Sequence, residues 1–295
     1  MDGIIIIDKP KGFTSHDVVG KLRRILNMKK IGHTGTLDPN ATGVLPICLG
    51  VATKASNYLI EHDKIYEVEL KLGEQTDTGD AEGNVINVGA HICAQNVDIQ
   101  KEEIDNILQS FLGKQQQIPP MYSAIKIDGK KLYQYAREGI EVERKAREIE
   151  IYDIVLNDLN LENNTIKFTV NCSKGTYIRV LCEDIAAKLG TYGYMNNLRR
   201  IMVGDFKIEE SVTLDYLEEN KDNLENISKN IISLENIFIN SKKIIVNNAR
   251  LPHFLNGVNL TFNLEDGTYR VYDEENKFIG IGLLKNNLLK RDIIL

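Results

Sequence analysis

The sequence predicts an α+β fold in which a sheet is flanked by helices and loops and is followed by a small β-barrel-like module. Three observations carry this. Apolar and polar residues alternate over 65–72 and again over 166–172, the period-two pattern of half-buried strands. Between such runs, Val18, Val19, Leu22, Ile25 and Leu26, and later Ile104, Ile107, Leu108, Phe111 and Leu112, recur at helical spacing. From Ser241 the texture changes to short β-like runs (243–246, 268–272, 278–284 and 288–294) separated by Asn and Gly turns.

In chain order, residues 3–9 read as a short buried strand stopped by Pro10, and Lys11-Gly12 is a turn. Thr14 or Ser15 caps the first helix, which carries Lys21, Arg23 and Arg24 on its outer surface. The stretch 32–45 follows, with one carboxylate, Asp38, in a turn crowded with Gly32, Gly35, Pro39 and Gly43. Pro39 pushes Asp38 away from helical geometry, and the glycines permit close backbone approach, so the turn can hold a side chain outward rigidly. An ordinary turn acid accounts for the same residues. A phosphate-cradling loop does not, because the Gly-Lys-Ser/Thr ending is missing and Pro39 breaks the run where a helix must begin. Nor is a metal site supported, since His33 and Asp38 have no nearby carboxylate or thiolate to complete a ligand set.

The apolar run 44–52 anchors that turn to the core. In 65–72, Tyr66, Val68, Leu70 and Leu72 share the inward face, so Tyr66 is a core aromatic or a pocket wall. Residues 73–83 form a polar turn-rich loop whose acids lack the spacing of a calcium-binding hand. After the second helix, closed by Gly113, the segment 118–123 is stiffened by Pro119 and Pro120. Residues 123–147 mix Lys126, Lys130, Lys131, Arg137, Arg144, Lys145 and Arg147 with Tyr133 and Tyr135, which suits a nucleic-acid-contacting loop or an amphipathic surface helix. Residues 149–156 and 166–172 read as paired strands, and Ser173-Lys174-Gly175-Thr176-Tyr177-Ile178-Arg179 turns the chain into a helix ended by Gly190. Arg179 is either a surface cation or the counter-ion of a buried carboxylate such as Asp38. Leu198-Arg199-Arg200 precedes an expected strand over 203–208, and an acidic, Asn-rich stretch over 214–240 leads into a hinge.

Bulk properties exclude several classes. The 295 residues are 42% hydrophobic and no apolar run approaches the ~20 residues of a membrane span, so a soluble cytoplasmic chain is expected. Cys48, Cys93, Cys172 and Cys182 form no Cys-x-x-Cys pair and read as buried free thiols. The net charge of −6 hides an uneven distribution: residues 1–60 hold eight Lys/Arg against four acids, 8 − 4 = +4. Phosphate attraction depends on charge within a Debye length of ~8 Å, so a basic face near Asp38 is compatible with an acidic total.

Six motifs in order resemble the TruB family of pseudouridine synthases: residues 9–15, 32–45, the set 64–66 with 72–73 and 76–80, 118–124, 173–179 and 198–200. The resemblance covers nearly the whole chain. It implies a mixed, mostly antiparallel sheet over a catalytic domain of residues 1–240 and a small RNA-binding PUA module over 241–295. It further implies conversion of the uridine at position 55, in the TΨC loop of tRNA, to pseudouridine on a flipped-out nucleotide. Asp38 matches the catalytic aspartate, Tyr66 the tyrosine that packs on the base, and Arg179 the arginine that pairs with the aspartate. Tyr177 and Leu198 match pocket residues, and His33 the histidine near the flipped nucleotide. No redox step or group transfer to a second molecule occurs, so no cofactor or metal is expected; neither is a membrane or an obligatory protein partner, and the chain is expected to act as a monomer. Two rivals remain: a non-catalytic tRNA-binding or tRNA-folding protein, and a guide-RNA-dependent relative of the dyskerin type, which the compact chain without basic tails disfavours.

Overall fold

The computed structural model describes residues 1–60, 62–89 and 101–295. They fall into two compact units, one made of residues 38–44 and 61–208, the other of residues 1–37, 45–60 and 209–295.

The first of these units is built on a sheet whose strands run, side by side, Gly193–Val203, Lys64–Leu72, Thr165–Cys172, Arg147–Asn160 and Gly113–Gln117, all antiparallel. Thr42 and Gly43 add a parallel edge beside Arg199 and Arg200. Tyr66, Val68 and Leu70 are buried in register with Val170, Phe168 and Ile166, and Leu72 is buried at the end of the same face, as the alternation predicts. Helices Lys101–Gln109 and Ile178–Lys188 bury Ile104, Leu108, Leu181, Cys182, Ile185 and Ala186. On the intervening face the charged positions pair instead, Lys167 with Glu69 at 3.6 Å.

Two elements differ from the sequence reading. The strand expected over 203–208 lies earlier, at Gly193–Val203, and 206–210 is a two-residue strand followed by a 3-10 turn. Asn196, Asn197, Arg199 and Arg200 mask its period, because Arg200 points inward and is 1% exposed. The polar loop 73–83 contains a short strand, Glu74–Thr76, paired with Val85–Val88.

In the other unit, Thr14 caps helix Ser15–Ile25 with a full capping box to Asp17. Its apolar face meets strand Gly3–Lys9 and residues 45–49 in a core of Ile5, Ile7, Val18, Leu22, Leu45, Ile47 and Leu49, closed by Leu214, Leu217 and Ile227. A separate core of Ile244, Val246, Phe254, Leu260, Tyr269, Val271, Leu284 and Leu289 fills the curled five-stranded sheet of 242–294. This is the β-barrel-like module, and its four longer strands match the expected runs to within about two residues at each end. Tyr58 Oη donates to Asp292 at 2.7 Å and Tyr272 Oη to Glu235 at 2.7 Å, tying the module to the rest of its unit.

Cys48, Cys172 and Cys182 are buried free thiols, and Cys93 lies outside the described residues. Among the described residues no helix is long and apolar enough to cross a membrane.

Candidate active site

The site assembles where the turn carrying Asp38 meets the open end of the helix Ile178–Lys188. Asp38 is held by its own turn, whose carbonyl accepts from the Ala41 N–H at 3.1 Å. Gly175, at φ +82°, lets the chain reverse after Cys172 and lead into the helix with Tyr177 as its N-cap. Arg179 therefore sits in the first turn, and its side chain is only 7% exposed.

That guanidinium is engaged on every side. Its Nε lies 3.2 Å from Asp38 Oδ2, Nη1 lies 3.8 Å from Asp80 Oδ2 and donates to the Thr78 carbonyl at 3.2 Å, and Nη2 donates to the Tyr122 carbonyl at 2.8 Å. A planar fork with five donors meets such a set of acceptors; an ammonium does not. Asp80 in turn accepts from Thr78 Oγ1 at 2.6 Å and from the Glu82 N–H at 3.1 Å. The acid-rich loop read from the sequence only as an unlikely calcium site thus supplies the second carboxylate on Arg179.

The Asp38 side chain is 39% exposed, less enclosed than the buried acid expected from the sequence. One edge of the carboxyl faces the guanidinium, and part of the side chain is accessible to solvent. Two phenols feel its charge. Burial pushes Tyr66 above the ordinary phenol range, with Asp38 adding to the rise and Arg200 opposing it. Tyr177 is also raised, by burial first, opposed by Ser123 and Arg179 and augmented by Asp38. Leu198, 6% exposed, pairs with Val68 in the ladder, two residues from Tyr66 on the same face.

Of the six sequence-predicted site residues, Asp38, Tyr66, Tyr177, Arg179 and Leu198 belong to one unit. His33 belongs to the other, on strand Ile31–His33 opposite Ile47, with Nε2 3.3 Å from His16 Nδ1.

Sequence reasoning missed three residues. Gln117, 5% exposed, fixes the Tyr177 backbone from both sides: Oε1 accepts from its N–H at 2.8 Å and Nε2 donates to its carbonyl at 3.1 Å. Asp80 is the second. Arg200 is the third; its guanidinium donates to the Val44 carbonyl at 2.8 Å and to the Tyr66 hydroxyl. A buried amide or arginine in a strand has no periodic signature, though Arg200 at an inward position was a usable signal.

The insertion 123–147 folds as a hairpin, Lys126–Ile127 with Lys130–Lys131, and the helix Leu132–Arg137. Its aromatic rings are capped by its own cations, Lys130 lying 4.5 Å from the Tyr135 ring centre and Lys131 and Arg137 5.4 and 5.5 Å from that of Tyr133. Near the N-terminus, Lys11, Arg23, Arg24, Lys29, Lys30 and Lys54 are exposed. Lys9 is not part of that basic surface: it is fully buried and donates to the Pro10 and Phe13 carbonyls.

Comparison with known proteins follows from this geometry. Residues 23–178 match the family model described as TruB family pseudouridylate synthase (N terminal domain), residues 179–238 that of the tRNA pseudouridylate synthase B C-terminal domain, and residues 243–290 that of pseudouridine synthase II TruB, C-terminal. A tRNA pseudouridine synthase B of Clostridium kluyveri is 47% identical, covering 97% of this chain and 96% of the relative. Another, of Clostridium acetobutylicum, is 44% identical over 98% of each chain. Among solved structures, the protein in a Cbf5-Nop10-Gar1 complex matches 99% of this chain and 83% of that one, at 25% identity and a TM-score of 0.69.

Proposed function

The chain belongs to the TruB family of pseudouridine synthases, and from that premise we propose that it isomerises uridine 55, in the TΨC loop of tRNA, to pseudouridine. The observation that carries the reading is the Asp38 carboxylate, held 3.2 Å from Arg179 at a partly open corner beside Tyr66 and Tyr177.

The reaction cuts the N1–C1′ bond, turns the uracil, joins C5 to C1′ and removes the C5 proton. An ionised carboxylate beneath C1′ serves either by attacking that carbon or by taking the C2′ proton, with the electron pair of the broken bond leaving on the uracil. Arg179 keeps Asp38 oriented for either step. The nucleotide must be flipped out of its stack at a cost of a few kcal/mol, and once seated it covers the exposed part of Asp38. Tyr66, Tyr177 and Leu198 then confine the detached base. Burial raises Tyr66, and the C5 proton leaves to its hydroxyl or to a water beside it.

Flipping energy comes from contacts elsewhere. The exposed N-terminal cations, the insertion 123–147 and the PUA-like module of 241–295 are assigned to the tRNA. With Lys130 over the Tyr135 ring and Lys131 and Arg137 over that of Tyr133, that segment offers the tRNA both charge and aromatic surface. The residues present need no metal or cofactor for these steps, and the chain acts as a monomer without a guide RNA.

The test is pseudouridine mapping on a tRNA transcript incubated with the purified chain alone. One modification, at position 55, is expected; none, or one that requires added RNA or protein, overturns the reading. Asp38→Asn is expected to bind tRNA within about threefold of wild type and to form no pseudouridine. Measurable turnover by that variant removes Asp38 from the central role, whereas tRNA refolding without any pseudouridine formed by the wild-type chain favours the purely RNA-folding alternative.

A further inference from the structure

We propose that Arg200 is a positioning residue that joins the turn carrying Asp38 and the ring of Tyr66 into one rigid piece. The proposal rests on the reading of the chain as a pseudouridine synthase.

Arg200 occupies the middle of the strand Gly193–Val203. In the ladder its neighbour on one side is Gly43 and on the other is Tyr66. The contact with Gly43 is main chain to main chain: a Cβ at that position would lie 2.1 Å from the Arg200 carbonyl oxygen. The side chain adds a second tie, since Nε donates to the Val44 carbonyl at 2.8 Å and the guanidinium donates to the Tyr66 hydroxyl. Gly43 and Val44 form the exit of the turn that starts at Asp38. The acid and the ring are thus fastened through one side chain, from opposite edges of one strand.

At 1% exposure Arg200 does not reach RNA phosphates, the usual work of an arginine in a protein of this kind. Burying a guanidinium is costly, and burial lowers its pKa here, with the Tyr66 contact opposing that fall. A buried methionine or leucine fills such a space without that cost, so a packing role alone does not call for arginine. What a planar fork adds is two directed hydrogen bonds at a fixed angle. Displacing a catalytic group by about 1 Å costs on the order of 100-fold in rate, so a clamp between the carboxylate and the base-packing ring is felt in the chemical step and little in tRNA affinity.

Arg200→Met keeps the volume and removes the fork, whereas Arg200→Lys keeps the charge and one donor. Single-turnover rates on tRNA are expected to fall about 10- to 100-fold in the Met variant, with Kd within about threefold of wild type, and to recover in part with Lys. In a Tyr66→Phe background the same Arg200→Met change is expected to cost less than half as much on a logarithmic scale, because the shared contact is already gone. A wild-type rate in either Arg200 variant, or an undiminished loss in the Phe background, overturns the proposal. Should the Met variant lack a cooperative thermal transition, the Lys variant carries both comparisons. The contact itself is read without turnover from the titration of Tyr66 in protein labelled with 13Cζ-tyrosine. Losing the guanidinium is expected to move its midpoint upward, and an unmoved midpoint overturns the proposal. If the wild-type chain makes no pseudouridine, the functional reading falls separately, while the titration still reports on the clamp.

Discussion

Arg179 meets two carboxylates and two main-chain carbonyls at once, which decides what can replace it. In Arg179→Lys the positive charge survives, but one ammonium cannot hold Asp38 and the Thr78 and Tyr122 carbonyls together. The expected result is a single-turnover rate lowered on the order of 100-fold with tRNA affinity nearly unchanged, from the misplacement of Asp38. A loss of stability of about 1–3 kcal/mol in urea unfolding is expected beside it, from the acceptors left unpaired inside the fold. A rate within threefold of wild type counts against Arg179 as the partner that orients Asp38. Asp38 itself, with 39% of its side chain exposed, contributes little to stability. Its worth is in placement.

Elements set that placement through backbone as well as side-chain contacts. The strand Gly193–Val203 carries Leu198 and Arg200 on its inward face and seats Gly43 against its main chain. Gly43, at φ +102°, has a carbonyl oxygen where a Cβ would go, whereas Gly175, at φ +82°, has nothing within 4 Å. Gly175→Ala is expected to cost about 1–2 kcal/mol of backbone strain alone. Gly43→Ala adds a main-chain clash to the same strain, so its loss is expected to exceed that of Gly175→Ala by more than about 1 kcal/mol in urea unfolding. Equal losses would show that the edge yields freely and that the turn is not seated as described.

At the scale of the whole molecule, pH acts through groups that burial keeps protonated. The thiols of Cys48 and Cys172 are pushed up to about 12 from an ordinary value of 9.0. The unfolded chain releases these protons near pH 9 and the folded chain near 12, so the folded state holds more protons between those limits. The associated stability is complete below pH 9 and is lost as pH rises toward 12. Tyr66 and Tyr177, raised by burial, act in the same direction from about pH 10. Urea midpoints are expected to drop between pH 8 and 10.5, and to drop less in a Cys48→Ala/Cys172→Ala protein; identical slopes exclude these thiols as the cause. Charge acts through the partner. The exposed Lys29 and Lys30 belong to the N-terminal basic stretch, and replacing both with Ala is expected to weaken tRNA binding and to lower the slope of log K against log salt by about 1–2. An unchanged slope places the RNA on another face.

The sequence by itself determined the strands with clean alternation, the capped first helix, the Asp38 turn and the Arg179 junction. These are local: a period of two, a capping box and a Gly-Pro turn are written in neighbouring residues. Six short motifs in order were likewise enough to point to the family. Only the tertiary structure decided what Arg179 holds besides Asp38, because Asp80 and the Thr78 and Tyr122 carbonyls lie far from it along the chain. The same is true of Gln117 beneath Tyr177 and of Arg200 between Gly43 and Tyr66. A buried polar side chain is stabilised by partners brought from distant strands, and the pattern of its neighbours in sequence carries no trace of them.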